Sequence, residues 1–237
     1  FNEDMLDAVF IVKEENRRYL SGFSGSDGCL LITEEKKFLL TDSRYHLQAR
    51  KESPDFELID ITSDFRKPFS LLIKQENIGN LGFESNHLSF WRYRKLKDFL
   101  GETELVPVID LVENLRSIKS RQEIDRLVRA QEITDRAFHY IMTYIREGLT
   151  EKQVAWELEK YIRDEGTESL PFAPILASGI NAAEPHHRSS DKKIEAGEMV
   201  LMDFGALVSG YGSDMTRTLF MGGPTRKQAE IYELVLS

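Results

Sequence analysis

A chain of 237 residues, 41% hydrophobic and 30% charged, has enough apolar surface to build a core, which excludes intrinsic disorder, and has room for one large domain or two ordinary ones. A formal net charge of −9 with scattered basic residues excludes a phosphate-backbone ligand, and so nucleic acid, because that binding needs clustered cations. No apolar run approaches the roughly 18 residues of a membrane span.

The acidic start, Phe1 to Asp4, lacks the basic and apolar regions of a leader, and the absent initiator Met leads us to expect a few residues before Phe1. The single cysteine, Cys29, reads as a small buried hydrophobe. It cannot form an internal disulfide, which fits a reducing, cytoplasmic setting.

In chain order, Asp7 to Val12 is a buried strand. Cys29–Thr33 and Phe38–Thr41 flank a polar four-residue turn and predict a hairpin. A helix over Ser43–Lys51, a strand over Phe56–Ile61, a helix over Phe65–Gln75 and a strand through Leu81–Phe83 follow. Asn86–Leu100 predicts a helix stopped by Gly101, and its basic run, Trp91 to Lys97, reads as a solvated face. Leu105–Ile109 closes the series. Alternating strands and helices predict an α/β domain over residues 1–114.

Residues 110–119 are polar and without period, so the second domain, 115–237, is expected to begin there. Ser120 and Glu123 form a capping box for a long helix with apolar positions at Ile124, Leu127, Val128, Phe138, Ile141, Met142 and Ile145, stopped by Gly148. Thr150 and Gln153 cap a second helix through Val154, Leu158, Tyr161 and Ile162. Strand-and-turn sequence fills Pro171–Gly222, and a helix begins near Thr225, which makes this part α+β.

Chemistry concentrates in two stretches. Val200–Ala206 and Ser213–Thr218 flank Ser209-Gly210 and read as a hairpin. In a hairpin with a two-residue loop, paired positions sum to an odd number, and so do 203 and 214. Asp203 and Asp214 are therefore expected on one face. Like charges on an inward face repel, and divalent cations would relieve them. Two such ions would also acidify a bridging water into a hydroxide nucleophile. Alternatively, one carboxylate lies in the loop and the other is solvated. The second stretch, Ala177 to His187, is a Gly- and Pro-punctuated loop that carries two histidines, either surface decoration or donors to a developing oxyanion. His46, His87 and His139 have no companions.

Ser178-Gly179, Asn181, Pro185-His186, Met202 to Ala206, Gly210-Tyr211 and Ser213 to Thr218 together resemble the catalytic signature of the creatinase/prolidase/aminopeptidase P family. Leu115-Arg116, Lys119-Ser120 and Glu123-Ile124 resemble the segment that enters that domain. Asn16 to Ser26 and Leu40 to Tyr45 resemble the family's N-terminal domain. The resemblance implies an α/β creatinase-like N-terminal domain and the first half of an α+β pita-bread catalytic domain.

It further implies that Asp203 chelates one metal, Asp214 bridges two, and His186 contacts substrate and steadies the tetrahedral intermediate, with His187 its neighbour. Thr216, two residues along the strand from Asp214, faces the same site as a hydrogen-bond partner. The implied ions are two divalent metals, manganese first, with cobalt, iron or zinc as alternatives. The implied substrates are short peptides with proline in second position, and the implied assembly is a homodimer.

The family's five ligands are two Asp followed by one His and two Glu. This sequence has no later match, since Glu230 and Glu233 fit no ligand motif. We therefore expect an N-terminal fragment of an Xaa-Pro aminopeptidase or dipeptidase, inactive and weakly metal-binding by itself. The rival expectation is a non-catalytic pita-bread protein that binds peptides or acts as a scaffold.

Overall fold

The computed structural model describes residues 6–237, so the acidic start at Phe1 to Asp4 lies outside the described residues. The chain divides between Ile118 and Lys119 into two compact units.

The first unit is built on six strands: β1 (Ala8–Ile11), β2 (Cys29–Thr33), β3 (Lys37–Thr41), β4 (Glu57–Asp60), β5 (Asn80–Glu84) and β6 (Glu104–Val108). They form one sheet in the order β4-β3-β2-β1-β5-β6. The β1–β2 and β2–β3 pairs are antiparallel, and the other three are parallel. Near-continuous apolar runs in β1 to β3 are the mark of strands buried on both faces.

Alternation sends Ala8, Phe10, Leu31, Phe38 and Leu40 into one core with Phe69, Leu72 and Ile73 of helix α3 (Arg66–Gln75) and Leu96 of α4 (Phe90–Leu100). Val9, Ile11, Leu30 and Leu39 join the opposite core with Phe23, Ala49 of α2 (His46–Glu52) and Val112 of α5 (Leu111–Ser117). Helix α4 starts later than expected because the Ser89 hydroxyl caps it, accepting from the Arg92 amide.

Two helices of this unit carry no apolar period. Helix α1 (Glu14–Ser21) buries Asn16 and Arg17, whose guanidinium donates to the carbonyls of Gly25 and Gly28. Helix α5 occupies the stretch read as an aperiodic connection. It is fixed by Val112 and by polar contacts: Glu113 to Lys13 at 2.7 Å, Asn16 to Glu113 at 2.9 Å and Arg116 to Asn16 at 2.9 Å. Glu84 completes this network by accepting from the amides of Val12 and Lys13 and from Asn16.

The second unit opens with α6 (Arg121–Tyr144) and α7 (Glu151–Asp164), both with the expected capping boxes. Helix α6 ends four residues before Gly148, whose φ of +83° belongs to the turn into α7. Its inward face is Ala130, Ile133, Ala137 and Ile141, while Ile124, Val128 and Met142 stay exposed. These helices cover one face of an antiparallel sheet ordered β11-β8-β7, made of β7 (Ile175–Ser178), β8 (Met199–Phe204) and β11 (Met215–Phe220). Between β8 and β11 lie the short strands β9 (Leu207–Val208) and β10 (Tyr211–Gly212), and helix α8 (Arg226–Leu236) closes the described chain. No helix among the described residues is long and apolar enough to cross a membrane.

Candidate metal and substrate site

The segment from β8 to β11 keeps a single register. Asp203 pairs with Thr216, Val208 with Tyr211, and the Ser213 amide donates to the Ala206 carbonyl at 2.9 Å. The two-residue loop is Ser209-Gly210, with φ of +50° and +82°, the pair of positive values that a type I′ turn needs. Strand periodicity then sets Asp203, Asp214 and Thr216 on the face opposite Val200, Met202 and Phe204, which pack into the core of the second unit.

Over the described residues, this face is not the one packed into the core. Asp214 is exposed and Asp203 only half-buried, because α6 and α7 cover the other face of the sheet. Even so, Asp203 Oδ1 is buried without a hydrogen-bond partner. Burial raises the Asp203 pKa, the Thr216 hydroxyl opposes the rise, and the charge of Asp214 adds to it.

A raised folded pKa means that the ionised form of Asp203 destabilises the fold. The penalty is absent at low pH and fully present above the folded value. Asp203→Asn should therefore stabilise the metal-free chain by about 1 kcal/mol at pH 7, in line with the usual gain on relieving a strained functional group. Denaturant unfolding in EDTA measures this, and a less stable variant would contradict it.

His186 lies exposed on the loop after β7, while its neighbour His187 is buried. That loop leaves β7 beside Val200, three residues along β8 from Asp203, or about 10 Å. The loop is held by Glu151, at the first helical position of α7 and fully buried. Its Oε1 accepts from the Ser178 amide and hydroxyl at 2.7 and 2.9 Å and from Asn181 Nδ2 at 3.0 Å. Its Oε2 accepts from His187 Nε2 at 2.9 Å and from the Ser190 amide and hydroxyl at 2.9 and 2.7 Å. Burial by itself would raise the Glu151 pKa, but these donors outweigh it and hold the carboxyl at about 2.

His187 Nδ1 faces Glu184 at 3.1 Å, so each ring nitrogen meets a carboxylate, which can only accept. The ring is thus assigned as an imidazolium. Burial opposes that charge, yet the bonds to Glu151 and Glu184 win and raise its pKa. Glu151 was invisible to sequence reasoning because an acidic residue in a first helical turn is expected anyway.

The two shifts have opposite signs and define a window. Stability from Glu151 is present above its ordinary 4.5 and lost as pH falls towards about 2. Stability from His187 is complete below its ordinary 6.5 and lost as pH rises through its higher folded value. The contribution of this cluster should therefore peak between those two ordinary values. Comparing unfolding free energies of the native chain and His187→Gln across pH tests this; a difference that grows above pH 7 would contradict it.

His139 Nδ1 meets the Asp135 carbonyl at 2.7 Å, one helical turn back, and His46 lies 3.6 Å from Asp60.

The sequence matches two family descriptions, Creatinase/Prolidase N-terminal domain over residues 1–118 and Metallopeptidase family M24 over residues 125–237. It is also 40% identical over 235 residues to the uncharacterized peptidase YqhT of Bacillus subtilis, covering 99% of this chain and 67% of that protein. The chain belongs to the creatinase/prolidase family of metallopeptidases. The fold agrees. An Xaa-Pro dipeptidase from Bacillus anthracis superposes with a TM-score of 0.94 at 38% identity, over 100% of this chain and 66% of that one. An X-Pro aminopeptidase from Thermotoga maritima gives 0.90 at 34% identity, over 98% and 67%. The creatinase/prolidase chain thus spans about two-thirds of the length of these relatives.

A metallopeptidase needs a metal site, and the described residues contain no group of three or more His, Cys, Asp or Glu side chains able to hold an ion. The Asp203–Asp214 pair nevertheless fits part of one. A buried carboxylate oxygen without a donor, next to a second carboxylate, is an arrangement that a divalent cation relieves.

Proposed function

We propose that this chain supplies two metal-binding carboxylates, Asp203 and Asp214, and a substrate-facing histidine, His186, to a peptidase that cleaves Xaa-Pro bonds at peptide N-termini. The observation that carries this reading is the buried, partnerless Oδ1 of Asp203 beside Asp214. Bound divalent ions supply Lewis acidity and charge neutralisation at this face. Asp203 and Asp214 orient the ions, Thr216 steadies the Asp203 carboxylate from across the ladder, and His186 donates to the carbonyl oxygen as it gains charge.

The matched relatives named as Xaa-Pro dipeptidase and X-Pro aminopeptidase support a substrate with proline in second position. Two manganese ions suit the oxygen ligands. A homodimer rests on the family resemblance, and a cytoplasmic setting on the lone cysteine, Cys29, which can form no internal disulfide.

Two carboxylates hold a divalent ion weakly, so calorimetry on the 237-residue chain should show weak Mn²⁺ binding that Asp203→Asn or Asp214→Asn abolishes. The natural gene product should hydrolyse Xaa-Pro dipeptides or longer Xaa-Pro peptides with Mn²⁺. Tight binding of two ions by the 237-residue chain, with turnover, would overturn the incomplete-site reading. A metal-loaded gene product that binds these peptides without cleaving them would overturn the peptidase reading.

A further inference from the structure

The loop that presents His186 buries no apolar side chain between Ala183 and Asp191; apart from the Leu176 amide, which donates to Ser189 Oγ at 2.9 Å, its side-chain anchors on both ends converge on one carboxylate. Glu151 accepts six hydrogen bonds from four residues: Ser178 and Asn181 before the histidines, then His187 and Ser190. Backbone contacts run along the same line. The Glu151 amide donates to the Lys192 carbonyl at 3.0 Å and the Lys152 amide to the Ser190 carbonyl at 3.1 Å, so the returning loop satisfies the free amides of α7. Adjacent charges are already committed, Lys192 to Glu198 at 2.7 Å and Lys152 to Asp191 at 2.8 Å.

We propose that Glu151 is a positioning residue for His186: by gathering Ser178, Asn181, His187 and Ser190 around one buried carboxylate, it fixes the backbone on both sides of His186 and so sets where that ring is presented. The role assigned to His186 comes from the function proposed above, whereas the clamp itself stands on the geometry. His187 is the lever, since its ring turns inward to Glu151 while the preceding side chain faces solvent. A shorter or neutral side chain at 151 cannot serve all six donors, because a carboxylate only accepts and an amide presents donors of its own.

The test compares the chain with Glu151→Gln by amide hydrogen exchange and by NMR of the histidine rings. The expected result is exchange at least tenfold faster at the Ser178 and Ser190 amides, a lower His187 pKa, and a His186 ring with added motion. Core amides at Ile141 and Leu158 should keep their protection. In the natural gene product the same variant should lose kcat at least tenfold with KM within about twofold. Unchanged exchange at Ser178 and Ser190, or an equal acceleration in the core, would overturn the proposal, as would an unaltered kcat. If Glu151→Gln does not fold, Ser190→Ala removes one arm only and should speed exchange at the same two amides; no change there is equally decisive against it. A gene product without Xaa-Pro turnover would count against the proposed function, and the exchange data would still decide the clamp.

Discussion

Substituting alanine for Gly205 is expected to prevent closure of the hairpin that carries both carboxylates. A Cβ at this position would lie 2.0 Å from the Ser213 carbonyl oxygen and 3.0 Å from Pro171 Cγ. Neither neighbour is the loose end of a long side chain. Ser213 is pinned: its amide donates to the Ala206 carbonyl, and its hydroxyl accepts from the Ala206 amide at 3.0 Å and meets Thr134 of α6 at 2.5 Å. Relief would have to come from moving Ser213, and Asp214 with it, away from Asp203. We expect a loss of about 3 kcal/mol, the upper end of ordinary overpacking, because the clash is with backbone. Gly223→Ala is the control, since nothing lies within 4 Å of a Cβ there. Denaturant midpoints for the two variants should differ widely, and Mn²⁺ binding should disappear only in Gly205→Ala. Equal midpoints would show that the hairpin can yield at this crossing.

Much of this hairpin was legible from residue types alone. Ser209-Gly210 marks a two-residue loop, the loop sets the parity, and parity puts both aspartates on one face. The strands of the first unit were equally readable, because sheets covered on both sides need unbroken apolar runs. Helices α1 and α5 were not, since they dock mainly through Asn16, Arg17, Glu113 and Arg116, with Val112 buried and only Tyr19 and Leu20 packed against the same core, too few apolar positions to set a period. The exposure of Asp214 was also beyond reach. Alternation tells which residues share a face but not which face the helices cover. Glu151 escaped for a further reason: its four partner residues lie 27 to 39 positions away and become neighbours only when the loop folds back onto α7.

His186→Ala and His187→Ala should separate chemistry from architecture at adjacent positions. His186 is exposed, so its removal should leave the unfolding free energy within about 0.5 kcal/mol, as for most surface substitutions. Under the proposed role it removes a donor to the developing oxyanion, and kcat of the natural gene product should fall about a hundredfold, equivalent to about 3 kcal/mol. His187→Ala should do the reverse in stability. It strips a charged donor from buried Glu151 and a partner from Glu184, at a cost of about 2 kcal/mol. Its effect on kcat is indirect, through the loop, and should be the smaller of the two. An alanine at 186 that leaves kcat intact would remove the assigned role. A larger kcat loss at 187 than at 186 would exchange the two assignments, and the catalytic donor would then be the ring that this structure shows turned inward to Glu151.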